Sequence, residues 1–385
     1  MSRPALKASI PYFVADGSVH FRLSGVLTSL EDHDGRILDL LTLLDGSRDI
    51  DGVCRDLRAK HPDVTPEEVR EAIDDLDDTG LIQDATDVGA DFSAEDKERW
   101  SNNFGFFETY ASLATSRYEF QRRVRDTPVA VLGVGGIGSH VLIDLVAIGF
   151  TDIRIVDFDR IELSNLNRQI LYGEPHLGRY KVEVAAERAR AMNSAVRIDP
   201  VRTRLGSAED VYRVVADRDV VIAVVDAPKM HVIHWLNEGC VRAGTTLISG
   251  GVDTQRALHY TVVPGVSGCV ECWLREVRGN DPTSRMVLDV LSDIDNTGQS
   301  FGEDSAAFNG LVTADAFAMV NEMVRLTTGM APPLSIGRMI EMVFHDPRAR
   351  VVESWSRDPE CSTCRGAKPR PGQAALLRAV GPPPF

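Results

Sequence analysis

From about residue 106 onward the sequence predicts an α/β fold, a mostly parallel sheet with helices on both faces, preceded by a small α+β domain. Three observations predict it. Short apolar runs suited to buried strands alternate with helical stretches beyond that point, the mark of a parallel sheet. One of those runs passes into a helix through closely spaced glycines. The first 88 or so residues read differently, as a strand pair followed by three helical stretches.

In the first domain, residues 1–88, Val19-His20-Phe21-Arg22-Leu23 alternates apolar and polar residues as a half-buried strand does, and Gly25 to Leu30 is its expected hairpin partner. Helical stretches follow at Gly35 to Leu44, where Ile37, Leu38, Leu40 and Leu41 share a face, and at Asp51 to Lys60. Thr65-Pro66-Glu67-Glu68 opens a third helix with an N-cap, a proline at the first position and acids in the first turn. Gly80 ends it, and Leu81-Ile82 is a short closing strand. Residues 89–105 are mostly polar, with a charge run from Glu95 to Arg99 read as solvated surface, and are expected to be a linker. Residues 106–385 form the α/β domain. Its expected strands are Val129 to Leu132, Asp152 to Val156, Val220 to Val225 and Thr246 to Ser249, with a helix over Ser139 to Ile148. The stretch Pro369 to Phe385 is proline-rich and reads as a tail.

Composition narrows the function. A chain of 385 residues with 43% hydrophobic and 26% charged residues suits an ordinary globular protein. A formal net charge of -15 argues against a general nucleic-acid or membrane-surface role, which needs clustered cations. No apolar run approaches the roughly 20 residues that span a bilayer, and the start reads as no secretory signal, so a cytoplasmic location is expected.

The segment Gly133-Val134-Gly135-Gly136-Ile137-Gly138 fits the GxGxxG pattern, directly after a strand and before a helix. Glycines allow a tight turn and close backbone approach to phosphate, and the helix N-terminus offers free N–H groups to the anion. Asp157, ending the next strand, stands where an acid bonds a ribose hydroxyl. Alone this pattern means a nucleotide or dinucleotide site. The residues beyond it favour a triphosphate, which needs additional cations and a carboxylate-held magnesium. Asp157-Phe158-Asp159 is followed by Ser164-Asn165-Leu166-Asn167-Arg168-Gln169, then by Lys181; Asp226 ends a later strand.

In order and spacing these motifs resemble the ThiF/MoeB/HesA branch of the ubiquitin-activating family, whose core is Rossmann-like, over roughly residues 99–365. The resemblance implies that Gly135 and Gly136 line the phosphate turn and that Asp157 holds the ribose, with Gly133, Gly138 and Asp159 counted among the nucleotide-binding residues. It implies that Asn165, Arg168 and Lys181 contact phosphates, that Asp226 carries Mg2+, and that Arg168, Lys181 and Asp226 serve catalysis. It further implies that ATP adenylates a carboxyl group and that the enzyme is a homodimer. The family often has Arg-Tyr-x-Arg-Gln ahead of its sheet, its second arginine reaching the ATP of the other subunit. Here Arg99-Trp100-Ser101-Asn102-Asn103 keeps the first arginine and has Asn102 at the second, leaving Arg117, Arg122 or Arg123 as substitutes. Asp226 is followed by Ala227-Pro228-Lys229 rather than the common asparagine.

Four of six cysteines form two CxxC pairs, Cys269/Cys272 and Cys361/Cys364. Four thiolates in two chelating pairs suit a closed tetrahedral zinc site, structural because no position stays open for water; a redox role is the alternative. Cys54 and Cys240 read as small core residues, so no enzyme thiol is expected to take the acyl group. The segment Arg275 to Asn309, where a crossover or lid would lie, contains no cysteine.

The N-terminal domain resembles the PqqD-like recognition domains that bind the leader of a ribosomally made precursor peptide, over about residues 8–84. The alternative is a generic winged-helix-like accessory or dimerisation unit. The resemblance implies a leader strand added to the sheet edge near Phe21 to Leu30, with apolar side chains against Val69, Ile73 and Leu76. Leader recognition joined to adenylation resembles peptide-modifying enzymes of the microcin and pantocin type. The expected activity is adenylation of a peptide carboxylate, leading to an amide, a cyclised residue or a P–N linked product. Activation of a ubiquitin-like sulfur-carrier protein and non-catalytic docking for a cyclodehydratase are the alternatives.

Overall fold

The structure, a computed structural model, describes residues 2–23, 25–280, 285–286, 288–290 and 306–370. It divides into two compact units, Met1–Arg123 and Val124–Phe385. Among the described residues no helix is long and apolar enough to cross a membrane.

In the first unit, β1 (Pro4–Leu6) pairs antiparallel with β5 (Ile82–Asp84). A separate three-stranded antiparallel sheet runs β2 (Tyr12–Ala15), β3 (Ser18–Leu23), β4 (Val26–Glu31). The alternation expected of β3 holds: Val19 and Phe21 are buried while Arg22 is exposed. Helices α1 (Arg36–Leu43), α2 (Ile50–Lys60) and α3 (Pro66–Asp78) close over them. Thr65 and Glu68 form a reciprocal capping box at the start of α3, as the Thr-Pro-Glu-Glu run suggests. Val19, Phe21, Leu40, Leu41, Val53, Cys54, Val69, Ile73 and Leu76 make one core. That core corrects one expectation: Val69, Ile73 and Leu76 are consumed inside the unit and offer no surface to a peptide.

The expected linker is also ordered differently. Residues 89–105 contain α4 (Ala94–Arg99) and most of α5 (Ser101–Glu108). Ser93 caps α4 in a second capping box with Asp96, and Phe92, Trp100 and Phe104 are buried together. Polar composition concealed three aromatic anchors. The segment falls within the first compact unit, whose limit at Arg123 lies inside α6 (Arg117–Asp126).

The second unit is built on an eight-stranded sheet. In chain order its elements are β6 (Val129–Leu132), α7 (Gly136–Ile148), β7 (Asp152–Val156), α8 (Lys181–Met192), β8 (Arg197–Val201), α9 (Ala208–Val215), β9 (Val220–Ala223), α10 (Lys229–Ala243), β10 (Thr246–Asp253), β11 (Arg256–Val262), α11 (Val270–Asn280), α12 (Asn309–Thr328), β12 (Arg338–Val343) and β13 (Asp346–Ser354). Strands β8, β7, β6, β9 and β10 lie side by side and parallel, and β11, β12 and β13 extend the sheet antiparallel beyond β10. Alternate residues of β11 face opposite layers: Tyr260 and Val262 join a core with α9 and α10, while Ala257 meets Leu311 of α12. The antiparallel partner explains why β10 runs to Asp253 rather than stopping at Ser249, since β11 supplies its further hydrogen bonds. Both α7 and β9 also differ by a turn or less from expectation, α7 starting at Gly136 and β9 ending at Ala223. Residues 371–385, the expected tail, and most of 281–305, within the expected lid segment, lie outside the described residues.

Candidate nucleotide and metal sites

Chain order places β6 between β7 and β9, so the chain leaves β6 for one neighbour through α7 and meets the other only later. Such a reversal opens a crevice at the carboxyl ends of the strands, where nucleotides bind. The residues after β6, β7 and β9 all fall there. Gly133 has φ of 90° and donates its N–H to Val156 at 2.8 Å, which starts the turn. A Cβ on Gly138 would overlap the Gly133 carbonyl oxygen, so this position admits no side chain. Gly135 differs: its Cβ would come no nearer than 3.6 Å to Gln169 Nε2, so its bareness leaves an open approach to backbone N–H groups. Gly135 caps α7, whose first N–H groups have no acceptor within the helix.

Asp157 braces this turn. Its Oδ2 accepts the Val134 N–H at 2.9 Å and its Oδ1 accepts the Asp159 N–H at 2.8 Å. Each oxygen retains a lone pair for a further donor, and the residue is half-buried. Beyond Asp159 the chain reaches Lys181 at the start of α8, where Nζ lies 3.0 Å from Asp159 Oδ2. Asn165 is buried in a short 3-10 turn, its Oδ1 accepting the Glu162 N–H at 3.1 Å. Arg168 donates to the Ser164 carbonyl at 3.1 Å and to Asn167 Oδ1 at 3.0 Å, and its aliphatic stem lies 3.5 Å from the Cβ position of Gly136. Thus Gly133, Gly135, Gly136, Gly138, Asp157, Asp159, Asn165, Arg168 and Lys181 gather about one turn. Asp226 is exposed three residues past β9, next to β6 in the sheet and at the same end.

Other residues that shape this turn lack an individual sequence signal. Tyr172 donates its hydroxyl to the Val134 carbonyl at 2.7 Å, and burial pushes the phenol well above its usual range. Val312 of α12 comes within 3.3 Å of the Gly136 Cβ position, a contact across far more sequence than any local pattern covers. Gln169, the last residue of the motif that carries Arg168, is buried with Oε1 unpartnered among the described residues.

The suggested substitutes for the second arginine are all engaged within the first unit. Arg117 bonds Glu108 at 2.8 Å, Arg122 bonds Asp87 at 2.6 Å and Asp91 at 2.8 Å, and Arg123 bonds Glu119 at 3.1 Å. Asn102 is exposed. Cys54 and Cys240 are buried, and burial pushes both thiols up, as suits core residues.

The two CxxC pairs converge. Cys269 Sγ lies 3.9 Å from Cys272 and 3.7 Å from Cys361, and Cys272 lies 3.6 Å from Cys364. Four sulfurs at about 2.3 Å from a tetrahedral zinc are separated by roughly 3.8 Å, so this spacing fits the ion. All four cysteines are buried, and burial pushes the Cys272 thiol up to about 11. A buried cation would offset that cost by binding the thiolates. The cluster could hold zinc with no position left for substrate.

The ThiF family matches residues 108–363. The adenylyltransferase and sulfurtransferase MOCS3 of Arabidopsis thaliana is 25% identical over 266 residues, 66% of this chain and 50% of that one. The sulfur carrier protein adenylyltransferase of Thermus thermophilus is 35% identical over 159 residues, 40% of this chain and 58% of that one. The chain thus spans about half the length of the curated relatives it matches. Among solved structures, E. coli MccB with AMPCPP and MccA superposes with a TM-score of 0.72 at 21% identity, covering 94% of this chain and 100% of that one. PaaA superposes with a TM-score of 0.66 at 21% identity, covering 91% and 100%. At that identity the likeness shows a shared fold.

Proposed function

The chain belongs to the ThiF family, and from that premise we propose that it is an adenylyltransferase acting on a carboxylate of a ribosomally made precursor peptide held by its leader. The observation that carries this reading is the reach of the fold likeness. It covers 94% of this chain against MccB, a protein solved with MccA, and so extends through the N-terminal unit as well as the nucleotide core. The exposed apolar residues of that unit support it: Tyr12, Phe13 and Val14 on β2, with Val26 and Leu27 on β4. These are strand residues at sheet edges, where an extended peptide adds through backbone hydrogen bonds. The PqqD-like assignment and the homodimer are parts of the same proposal.

The chemistry follows from the residues around the glycine turn. The free N–H groups at the start of α7, with Asn165, Arg168 and Lys181, take the phosphates. Asp157 takes the ribose with its remaining lone pairs. Asp226 would hold magnesium, which supplies positive charge against the phosphate oxygens. A carboxylate oxygen of the peptide attacks the α-phosphorus; the new O–P bond forms as the bond to pyrophosphate breaks. Arg168 and Lys181 carry the charge moving onto the leaving group, so the gain is electrostatic and positional. A nitrogen of the peptide then attacks the activated carbonyl and displaces AMP, giving an amide or a cyclised residue; a P–N linked product needs a second ATP, whose α-phosphorus the peptide nitrogen attacks as pyrophosphate leaves.

ATP–pyrophosphate exchange tests this, using candidate precursor peptides drawn from the neighbourhood of this gene and Asp226→Asn as control. Exchange that requires the peptide and vanishes in the control supports the reading. Exchange with a Gly-Gly-ended sulfur carrier instead would favour the second reading, activation of a ubiquitin-like protein, which the named relatives support. Binding of ATP and peptide without exchange or AMP would favour a docking role beside a cyclodehydratase.

A further inference from the structure

One face of α12 carries two carboxylates into the interior, Asp315 and Glu322. Glu322 is satisfied on both oxygens. Oε1 accepts from the Ser335 N–H at 2.7 Å and hydroxyl at 2.8 Å, and Oε2 from the Leu334 N–H at 3.0 Å and Arg325 at 3.3 Å. Asp315 is not. Its Oδ1 lies 3.0 Å from His259 Nδ1, while Oδ2 has no partner among the described residues although the side chain is 0% exposed. An orphaned buried acceptor costs about 1–3 kcal/mol. Glu322 shows that this helix can satisfy a buried acid, so the orphan at Asp315 calls for a reason other than packing.

Its position supplies one. His259 on β11 pairs directly with Gly250 of β10, the residue after Ser249. Ser249 pairs with Ala223, and Ala223 with Leu132, so His259 lies at the level where β9 and β6 end and Gly133 begins. Along α12, Asp315 is three residues past Val312, about 4.5 Å of rise, and Val312 meets the Gly136 position of the phosphate turn. The bond to Asp315 uses Nδ1, which leaves Nε2 on the other side of the ring. Among the described residues it takes no hydrogen bond.

Adenylation needs no base, because a carboxylate is already ionised near neutrality. The second half does: a nitrogen that attacks an acyl-adenylate must lose a proton. We propose that His259, oriented by Asp315, accepts that proton. This rests on the acyl-adenylate reading above. The peptide nitrogen attacks the carbonyl carbon, the N–C bond forms, and the C–O bond breaks with its electron pair leaving on AMP. The proton goes from nitrogen to His259 Nε2, and the Asp315 carboxylate stabilises the imidazolium through Nδ1–H. Asp315 is thus a positioning residue, acting through His259.

The test compares wild type, His259→Gln, His259→Ala and Asp315→Asn with the candidate precursor peptide that supports exchange. Pyrophosphate exchange, single-turnover product formation and Tm are measured in parallel. The expected result is a loss of about 100-fold or more in product formation, with exchange altered less than about threefold and the Asp315→Asn Tm unchanged or higher. Added imidazole should restore part of the product formation in His259→Ala. Product formation near wild type in His259→Gln would overturn the proposal. So would exchange and product falling together with Tm, since the pair would then be structural. Absence of exchange in wild type would instead sink the acyl-adenylate reading itself, and this proposal with it.

Discussion

Lys181 and Asp159 are joined twice: the Lys181 backbone N–H donates to the Asp159 carbonyl at 3.0 Å, and Nζ meets Asp159 Oδ2 at 3.0 Å. The side chain of Lys181 is only 8% exposed, against 46% for Asp159. The lysine is therefore held by the segment after β7 and cannot swing freely; on the proposed reading its charge is oriented in advance for a phosphate.

Lys181→Ala should cut peptide-dependent pyrophosphate exchange by about 100-fold, the scale seen when a preorganised charge is removed. Lys181→Arg should rescue it poorly, because the clamp is shaped for a compact ammonium. Exchange assays at saturating ATP, with Tm as a folding control, check this.

Two glycines of one turn should behave oppositely. Gly138→Ala drives a methyl into the Gly133 carbonyl, and a stability loss of about 3 kcal/mol or more is expected, read as a lowered denaturation midpoint. Gly135→Ala meets only an ordinary contact at 3.6 Å, so stability should change by less than about 1 kcal/mol. If the proposed phosphate site is right, ATP affinity should nevertheless fall, because the methyl would cover the approach to the turn's N–H groups; calorimetry with ATP measures it.

The four-cysteine cluster should bind one zinc per chain, measured by elemental analysis after gel filtration. Cys269→Ser or Cys361→Ser should lose the metal and lower Tm, since both belong to the buried set. Acidification should release zinc as the thiolates protonate. Zinc-free protein that keeps full stability would refute a structural metal.

Arg122 grips Asp87 with both terminal nitrogens, Nη1 at 2.6 Å from Oδ2 and Nη2 at 2.9 Å from Oδ1. Its guanidinium, then the Ser116 hydroxyl, hold the Asp87 carboxyl well below the usual carboxylate range. A depressed folded-state pKa contributes stability above the unfolded value of about 3.9, and that contribution is lost as pH falls through the folded value. Asp87→Asn should therefore melt lower than wild type at pH 7, with the gap shrinking as pH drops below about 4. Thermal melts across that range test it.

Peptide binding should map to the sheet edges rather than to α3. Val26→Lys or Phe13→Ala, at residues 64% and 53% exposed, should weaken peptide binding about tenfold with little change in Tm. Ile73→Ala, at a fully buried residue, should destabilise the unit by about 2–5 kcal/mol. Fluorescence anisotropy with the labelled leader separates the two effects; unchanged affinity in both edge variants would argue against strand addition there.

Much of this protein was determined locally and was readable. A strand followed by GxGxxG reports the turn because φ of 90° at Gly133 and the excluded methyl at Gly138 are backbone requirements of adjacent residues. The α3 capping box and the alternation of β3 are equally local. Two CxxC pairs signal a cluster because each pair converges within one turn, although only the fold brings Cys269 to 3.7 Å from Cys361.

What only the tertiary structure decided are relations between distant segments. The role of Val69, Ile73 and Leu76 depended on which face their helix buried, and an amphipathic pattern cannot say whether its apolar side meets its own core or a partner. The polar stretch 89–105 became helix because Phe92, Trp100 and Phe104 found one another, an outcome of packing that outweighed composition. The His259–Asp315 pair joins a strand to a helix 56 residues later, and nothing near either residue announces the other. Local backbone sterics are carried by neighbouring residues and survive in the sequence; side-chain burial and pairing are settled only when the chain closes on itself.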